Sequence, residues 1–233
     1  MKSYEYLFQE GNRLYQQGEY EKALEKYNEI IKMNYESAEL FYNIGNCYYK
    51  IGKNAKAILY YEKALKLKPN DEDANFNLQI ANMRIIDKVQ SIPELFYIAY
   101  FKKLCSYFTV WKLGKIELVL YLILVLAAII FLLSKSGRVK RIVKIMGVVG
   151  GFLVIIFSSI FIYKIYLLEH DIKGVVMEVE VMVRSAPDES AIELFTVHEG
   201  LKVEVVNKSE GWYEVKLPDG KEGWLKASSI EII

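Results

Sequence analysis

The chain has 233 residues, enough for one or two compact units and too few for a large enzyme. Lysine and arginine total 30 against 29 acidic residues, a formal net charge of +1, so there is no basic surplus to hold a phosphate backbone, and nucleic acid is excluded as a partner. Hydrophobic residues make up 53% and charged residues 25%, two values that coexist only if the apolar residues are concentrated in particular segments.

The first third repeats itself. Gly11 and Gly45, Gly18 and Gly52, Ala23 and Ala57, and Tyr27 and Tyr61 are each separated by 34 residues, the period of a tetratricopeptide repeat. The second copy carries Phe41, Ile44, Gly45, Tyr48, Gly52, Ala57, Tyr61, Ala64 and Pro69 at that family's signature spacings, and the resemblance is to an all-α helical-pair solenoid. The first copy departs from the pattern at Glu10, where an apolar residue is usual, and at Tyr35, where proline is usual. The expected layout over 1–88 is one repeat over 4–37, a second over 38–71, and a capping helix over 72–88, begun by acidic residues that suit a helix N-terminus.

Residues at i, i+4 and i+7 of a helix share one face. In the first helix of each repeat that face holds Phe8, Asn12 and Tyr15, then Tyr42, Asn46 and Tyr49, then Phe76, Ile80 and Met83. The repeat resemblance makes it the concave face, where an extended or helical peptide is usually taken. Asn12 and Asn46 are expected to hydrogen-bond the ligand backbone while the aromatics cover its side chains. A clamp for a peptide carboxylate needs lysine or arginine along this groove, and the corresponding positions are Phe8, Asp73 and Asn77.

Residues 89–115 crowd Phe96, Tyr97, Tyr100, Phe101, Tyr107, Phe108 and Trp111 among lysines, a mixture suited to an amphipathic juxtamembrane linker in the headgroup region. Two uncharged runs follow, giving expected spans over 116–134 and 145–166, each near the length needed to cross a bilayer core as a helix. Gly147 and Gly151 form a GxxxG pattern in the second, which serves packing within the hairpin or against a partner's span. The intervening 135–144 is expected to be a basic loop, with Lys135, Arg138, Lys140, Arg141 and Lys144 in or beside it. Short basic loops stay cytoplasmic, which puts both soluble parts outside the cytoplasm in a two-pass protein of the bacterial inner membrane. The opening residues MKSYEYLFQE contain no apolar signal-peptide run, so the alternatives are a true start that lies upstream or the inverted topology.

Beyond Gly174 the period changes to two: Val179, Val181 and Val183 alternate with polar residues, as do Val203 and Val205, and Tyr213, Val215 and Leu217. Turn signals at Pro187-Asp188, Glu199-Gly200, Glu210-Gly211 and Asp219-Gly220 separate the runs, the signature of a small all-β barrel. With Val183-Arg184-Ser185, Leu194-Phe195, Gly211-Trp212-Tyr213 and Gly223-Trp224-Leu225, residues 174–233 look like a bacterial SH3 domain. That resemblance implies binding of cell-wall peptides or proteins. Trp212, Tyr213 and Trp224 are candidates for the ligand platform, with a role in the barrel core as the alternative.

Catalysis has little to build on. No nucleophile–base arrangement, phosphate-cradling loop or carboxylate pair is recognisable, and no cofactor or metal is expected. Cys47 and Cys105 lack CxxC spacing, while His170 and His198 are far apart and read as solvated loop histidines.

The order of repeats, PELF-containing linker, two spans and barrel with LFTVHEG and LPDGKEGW resembles the BatE-type members of the Bacteroides aerotolerance (Bat) operon family. This resemblance implies a membrane-anchored interaction scaffold linked to oxygen tolerance or envelope stress, with partners that carry von Willebrand factor type A domains. A sensor whose barrel binds peptidoglycan stem peptides is the alternative.

Overall fold

The computed structural model describes residues 3–89, 93 and 95–233, apart from the side chains at 99, 103, 104, 106 and 168–170. The chain divides into two compact units, one formed by 1–92 with 172–233 and the other by 93–171.

In the first unit, α1 (Ser3–Gln16) pairs with α2 (Tyr20–Lys32), α3 (Ala38–Lys50) pairs with α4 (Asn54–Leu67), and α5 (Glu72–Asn82) completes the stack. Ser37 caps α3 and Asp71 caps α5, each side chain accepting from a backbone N–H three residues on. The glycines shared by both repeats serve close approach: a Cβ on Gly11 would lie 2.5 Å from the Tyr27 ring, and one on Gly45 would lie 2.7 Å from the Tyr61 ring. Tyr35, in the position where proline is usual, stacks on Tyr4 with ring centroids 4.2 Å apart. The capping helix is shorter than 72–88. It ends at Asn82, and the chain then turns so that Asp87 reaches the C-terminal module.

That module is a seven-stranded antiparallel sheet: β1 (Lys173–Val176), β2 (Glu180–Arg184), β3 (Glu193–His198), β4 (Lys202–Ser209), β5 (Trp212–Lys216), β6 (Glu222–Lys226) and β7 (Ile230–Ile232). The strand order is β3-β2-β6-β5-β4-β1-β7. Every strand contributes to one core, including Val176, Val181, Val197, Val203, Val215, Leu225 and Ile230, so the sheet curls around its own interior. Val181 and Val183 are buried as the alternation requires, whereas Val179 precedes β2 and is exposed.

The second unit contains α6 (Phe96–Ser106), α7 (Val110–Leu133) and α8 (Gly137–His170). The latter two are long and apolar enough to cross a membrane. Both extend past the uncharged runs, and the expected basic loop is helical from Gly137 onward. Arg138, Lys140, Arg141 and Lys144 therefore lie on the first two turns of α8, and Ser134, Lys135 and Ser136 alone make the connection. Lysine and arginine favour helix, so nothing between Arg138 and Ile145 interrupts it. Of the glycines on α8, Gly150 meets Leu124 of α7, while added Cβ atoms on Gly147 and Gly151 would face open space. The hairpin thus packs through Gly150 and leaves the GxxxG pair unused. Residues 90–92 and 94 of the linker lie outside the described residues, as does the side chain of His170.

Candidate functional site: the repeat groove and its neighbours

The first helices of the repeats carry the groove positions, and five of them converge. Tyr15, Tyr42, Asn46, Tyr49 and Ile80 surround a cavity of about 260 Å³ together with Lys50, Tyr61 and Asn77. A second recess, lined by Glu39, Asn43, Lys68, Asp71 and Asp73 among others, adjoins it and shares Tyr42 as a wall. The Arg84 guanidinium sits over the Tyr49 ring, 4.2 Å from its centroid. Phe8 belongs to a separate recess with Tyr4 and Tyr35. Phe76 on α5 and Met83 just beyond it line neither cavity and stand 63% and 69% exposed.

The two asparagines do more than face a ligand. Asn46 Oδ1 accepts from the Tyr61 hydroxyl at 2.8 Å and from Asn77 Nδ2 at 2.9 Å, which ties α3 to α4 and α5. One repeat earlier, Asn12 Oδ1 accepts from the Tyr27 hydroxyl at 2.7 Å and from Asn43 Nδ2 at 3.0 Å. The same three-residue ladder thus recurs at the repeat period. The carbonyl ends of both asparagines are engaged, and among the described residues their amide N–H groups have no partner within the chain, so only those ends are available to a ligand. Burial pushes the Tyr27 and Tyr61 phenols well above their ordinary value, which keeps both hydroxyls protonated as donors. Tyr42 Oη accepts a further bond from Asn77 Nδ2 at 3.2 Å. The spacing of Tyr27 and Tyr61 was visible in the sequence; the matching pair Asn43 and Asn77 was the signal that completed the ladder.

On the barrel, the three aromatic candidates separate. In β5 and β6 the pairs Trp212↔Lys226 and Glu214↔Trp224 put Trp212 and Trp224 diagonally adjacent on the outer face. Tyr213, opposite Leu225, packs against the core, with Lys208 Nζ 5.4 Å from its ring centroid. The tryptophans are half-buried, so they form a pair on the surface and Tyr213 supports it from beneath.

His198 is not a solvated loop residue. It ends β3, its backbone N–H donates to Asp87 Oδ2 at 2.6 Å, and its Nδ1 lies 2.9 Å from Asp87 Oδ1. This contact belongs to a docking surface between the two modules of the first unit. Ala57, Ile58, Leu59, Tyr61, Leu78 and Ala81 of α4 and α5 share one core with Val175 of β1, and Ile85, Met177 and Ile233 pack against it. Around this core Lys202 Nζ meets Glu62 at 2.6 Å, Lys56 Nζ meets Glu231 at 3.2 Å, and Lys66 Nζ donates to the Ile233 carbonyl at 2.7 Å. Gly200 has φ +88°, and a Cβ there would lie 2.5 Å from Ile85 and 3.2 Å from Ile58. Glycine is required at Gly200 by both backbone and contact.

Among the described residues no three His, Cys, Asp or Glu side chains converge on a metal position. Cys47 and Cys105 are both buried free thiols.

These geometries define a chain with a helical-repeat interaction module and a small β module. A protein-family comparison finds the tetratricopeptide repeat over residues 8–72 and the bacterial SH3 domain over residues 180–231. The solved structures similar to the chain include a T3SS complex from Aeromonas hydrophila, with 13% identity, TM-score 0.35, and coverage of 68% of this chain and 83% of that one. PcrH in complex with the chaperone binding region of PopD is similar at 15% identity and TM-score 0.33, covering 66% and 90%. The C-terminal SH3 domain of Myosin IB from Entamoeba histolytica is similar at 19% identity and TM-score 0.20, covering 28% and 95%. No curated protein matches the chain.

Proposed function

We propose that the chain is a membrane-anchored, non-catalytic scaffold whose repeat groove holds a segment of a partner protein. The observation that carries this reading is the cavity walled by Tyr15, Tyr42, Tyr49 and Ile80, where unpaired amide donors of Asn46 and aromatic faces lie side by side. Such a surface suits an extended chain, which offers backbone carbonyls and apolar side chains in alternation. The resemblance to the Bat family supports other membrane proteins of that type, including those with von Willebrand factor type A domains, as the partners. It also supports a role in oxygen tolerance or envelope stress. Photo-crosslinking tests this: with a photoreactive residue in place of Tyr49, the full chain becomes attached to such a protein in cells, and Tyr15→Ala with Ile80→Asp abolishes the attachment. Attachment that survives both changes removes the groove from the reading.

A second reading rests on the outer-face pair Trp212 and Trp224, a platform on which the barrel holds a peptidoglycan stem peptide. Titration of the full chain with muropeptides shifts the tryptophan fluorescence if this is so, and Trp212→Ala with Trp224→Ala removes the shift.

The anchor consists of α7 and α8 in the bacterial inner membrane, with the basic first turns of α8 cytoplasmic and both modules extracytoplasmic. An impermeant thiol reagent reads this orientation directly. Ser136→Cys stays unlabelled in intact cells and reacts after lysis; rapid labelling of intact cells reverses the orientation. Background is low because both native thiols are buried.

A further inference from the structure

We infer that the SH3-like module is the terminal cap of the repeat stack, and that its docking sets the shape of the groove. A helical-repeat array must cover the apolar face of its last helices, normally with a polar capping helix or a further repeat. Here α5 is the last helix of the stack, and Val175, Met177 and Ile233 of the β module join one apolar core with α4 and α5, while Gly200 abuts Ile58 on α4 and Ile85 just beyond α5. The same two helices supply Tyr61, Asn77 and Ile80 to the groove. Tyr61 belongs to both surfaces: its ring lies in the core shared with Val175, and its hydroxyl donates to Asn46. Asn54 adds a second tie, donating from Nδ2 to the Ala81 carbonyl at 3.0 Å and so holding α4 to α5.

Two surfaces built on the same pair of helices are thermodynamically linked. Releasing the β module opens the apolar core that α4 and α5 share with it, loosens the seat of α5 on α4, and carries Asn77 and Ile80 away from the cavity. By reciprocity, weakening the ladder at Asn46 weakens the docking. Polar contacts at the rim adjust this equilibrium: the ion pairs of Lys202 with Glu62 and Lys56 with Glu231, and the hydrogen bond from the His198 backbone N–H to Asp87. The groove reading supplies the functional consequence, but the coupling itself exists with or without a ligand.

Hydrogen exchange on the full chain in detergent, followed by mass spectrometry, tests the inference without knowledge of the partner. In Gly200→Val, and separately in Lys202→Glu with Asp87→Ala, exchange across α5 and the second half of α4 rises by about tenfold or more. Exchange in β5 and β6, which supply none of the docking residues, stays at the wild-type level and certifies that the barrel is folded. Combining Lys202→Glu with Glu62→Lys restores part of the protection, which a general loss of folding does not permit. In the opposite direction, Asn46→Ala raises exchange at residues 198–202. Unchanged protection of α5 in both undocking variants, with β5 and β6 intact, overturns the inference while leaving the groove reading untouched. So does a rise confined to the β module. If coupling is present but no protein is crosslinked through the groove, the proposed function fails and the cap remains.

Discussion

Asn46 separates a structural role from a ligand-binding role. Its Oδ1 accepts two bonds, one from the hydroxyl of Tyr61, a residue 1% exposed, and one from Asn77 Nδ2. Asn46→Ala leaves the tyrosine hydroxyl as a buried donor without a partner, which costs about 1–3 kcal/mol. Asn77 retains its bond to Tyr42, so its loss is nearer the ordinary net value of about 0.5–1.5 kcal/mol for one hydrogen bond. The expected destabilisation of the second repeat is therefore about 1.5–4.5 kcal/mol. Tyr61→Phe removes the donor along with its need for a partner, and Asn46 still accepts from Asn77, so this change costs about 1 kcal/mol. In Asn46→Ala with Tyr61→Phe no hydroxyl is stranded, and the double variant is more stable than the sum of the two changes implies.

Native-state hydrogen exchange of α3 and α4 amides in the full chain measures these differences region by region, which a single melting curve of a multidomain chain does not. Asn46→Asp serves as the control, since it keeps the acceptor and changes only the amide donor that has no partner in the chain. It should remain within about 1 kcal/mol of wild type, although it adds a charge at a half-buried position. The reasoning is refuted if Asn46→Ala leaves exchange unchanged, or if the two ladder changes are strictly additive. Either result would return Asn46 to a purely ligand-facing role.

Gly45→Ala improves intrinsic helix propensity by about 1 kcal/mol, yet places a Cβ 2.7 Å from the buried Tyr61 ring, where overpacking costs about 1–3 kcal/mol. Net destabilisation by urea titration, monitored on the repeat amides, is the expected outcome, and a gain in stability would mean the ring yields. Burial pushes the Cys47 thiol from an ordinary 9.0 up to about 12 and the Tyr60 phenol from 10.0 up to about 12. Both groups fold in the protonated form, so the stability they contribute is complete below their ordinary values and is lost as pH rises through that range towards 12. The repeats should therefore weaken from about pH 9 upward, and Cys47 in the native chain should resist iodoacetamide at pH 8 while reacting once the chain is unfolded in urea.

The repeat stack was readable because its information is local and recurs. Small residues at Gly11, Gly45, Ala23 and Ala57 mark close approach between neighbouring helices, and any chain segment of that period reveals them. The same holds for the strands, whose alternation depends only on adjacent residues. What a period cannot say is which end of a side chain is engaged: spacing puts Asn12 and Asn46 at equivalent positions of the first helices, but the recruitment of their carbonyls by Tyr27 and Tyr61 depends on contacts between helices. The docking surface was illegible for a stronger reason. His198 and Asp87 are 111 residues apart, Lys202 and Glu62 are 140 apart, and Lys66 and the Ile233 carbonyl are 167 apart, with a long apolar segment between. Each partner alone is an ordinary surface residue, and no spacing connects them. The basic stretch after the first long helix misled for the reverse reason, since charge density suggests a loop although lysine and arginine are good helix formers.

Docking of the two modules constrains how the apolar segment is threaded. The chain leaves the first unit at 92 and returns to it at 172, and modules that share Val175, Ile58 and Tyr61 in one core cannot stand on opposite sides of a bilayer. Any crossing between those points is accordingly even in number, which matches the two helices, α7 and α8, that are long and apolar enough to cross. At about 1.5 Å per residue against a core of about 30 Å, the 24 residues of α7 suffice with little to spare, whereas the 34 residues of α8 exceed what is needed by several turns. Part of that excess is the basic start of α8, Arg138 to Lys144, which is held as helix and so presents its charges at fixed angular positions. A rigid basic turn of this kind resists transfer through the bilayer as firmly as a loop does, because the cost attaches to the charges and not to the backbone. In the proposed anchor, orientation therefore depends on the same few lysines and arginines whether they are looped or helical, and the docked modules follow it together.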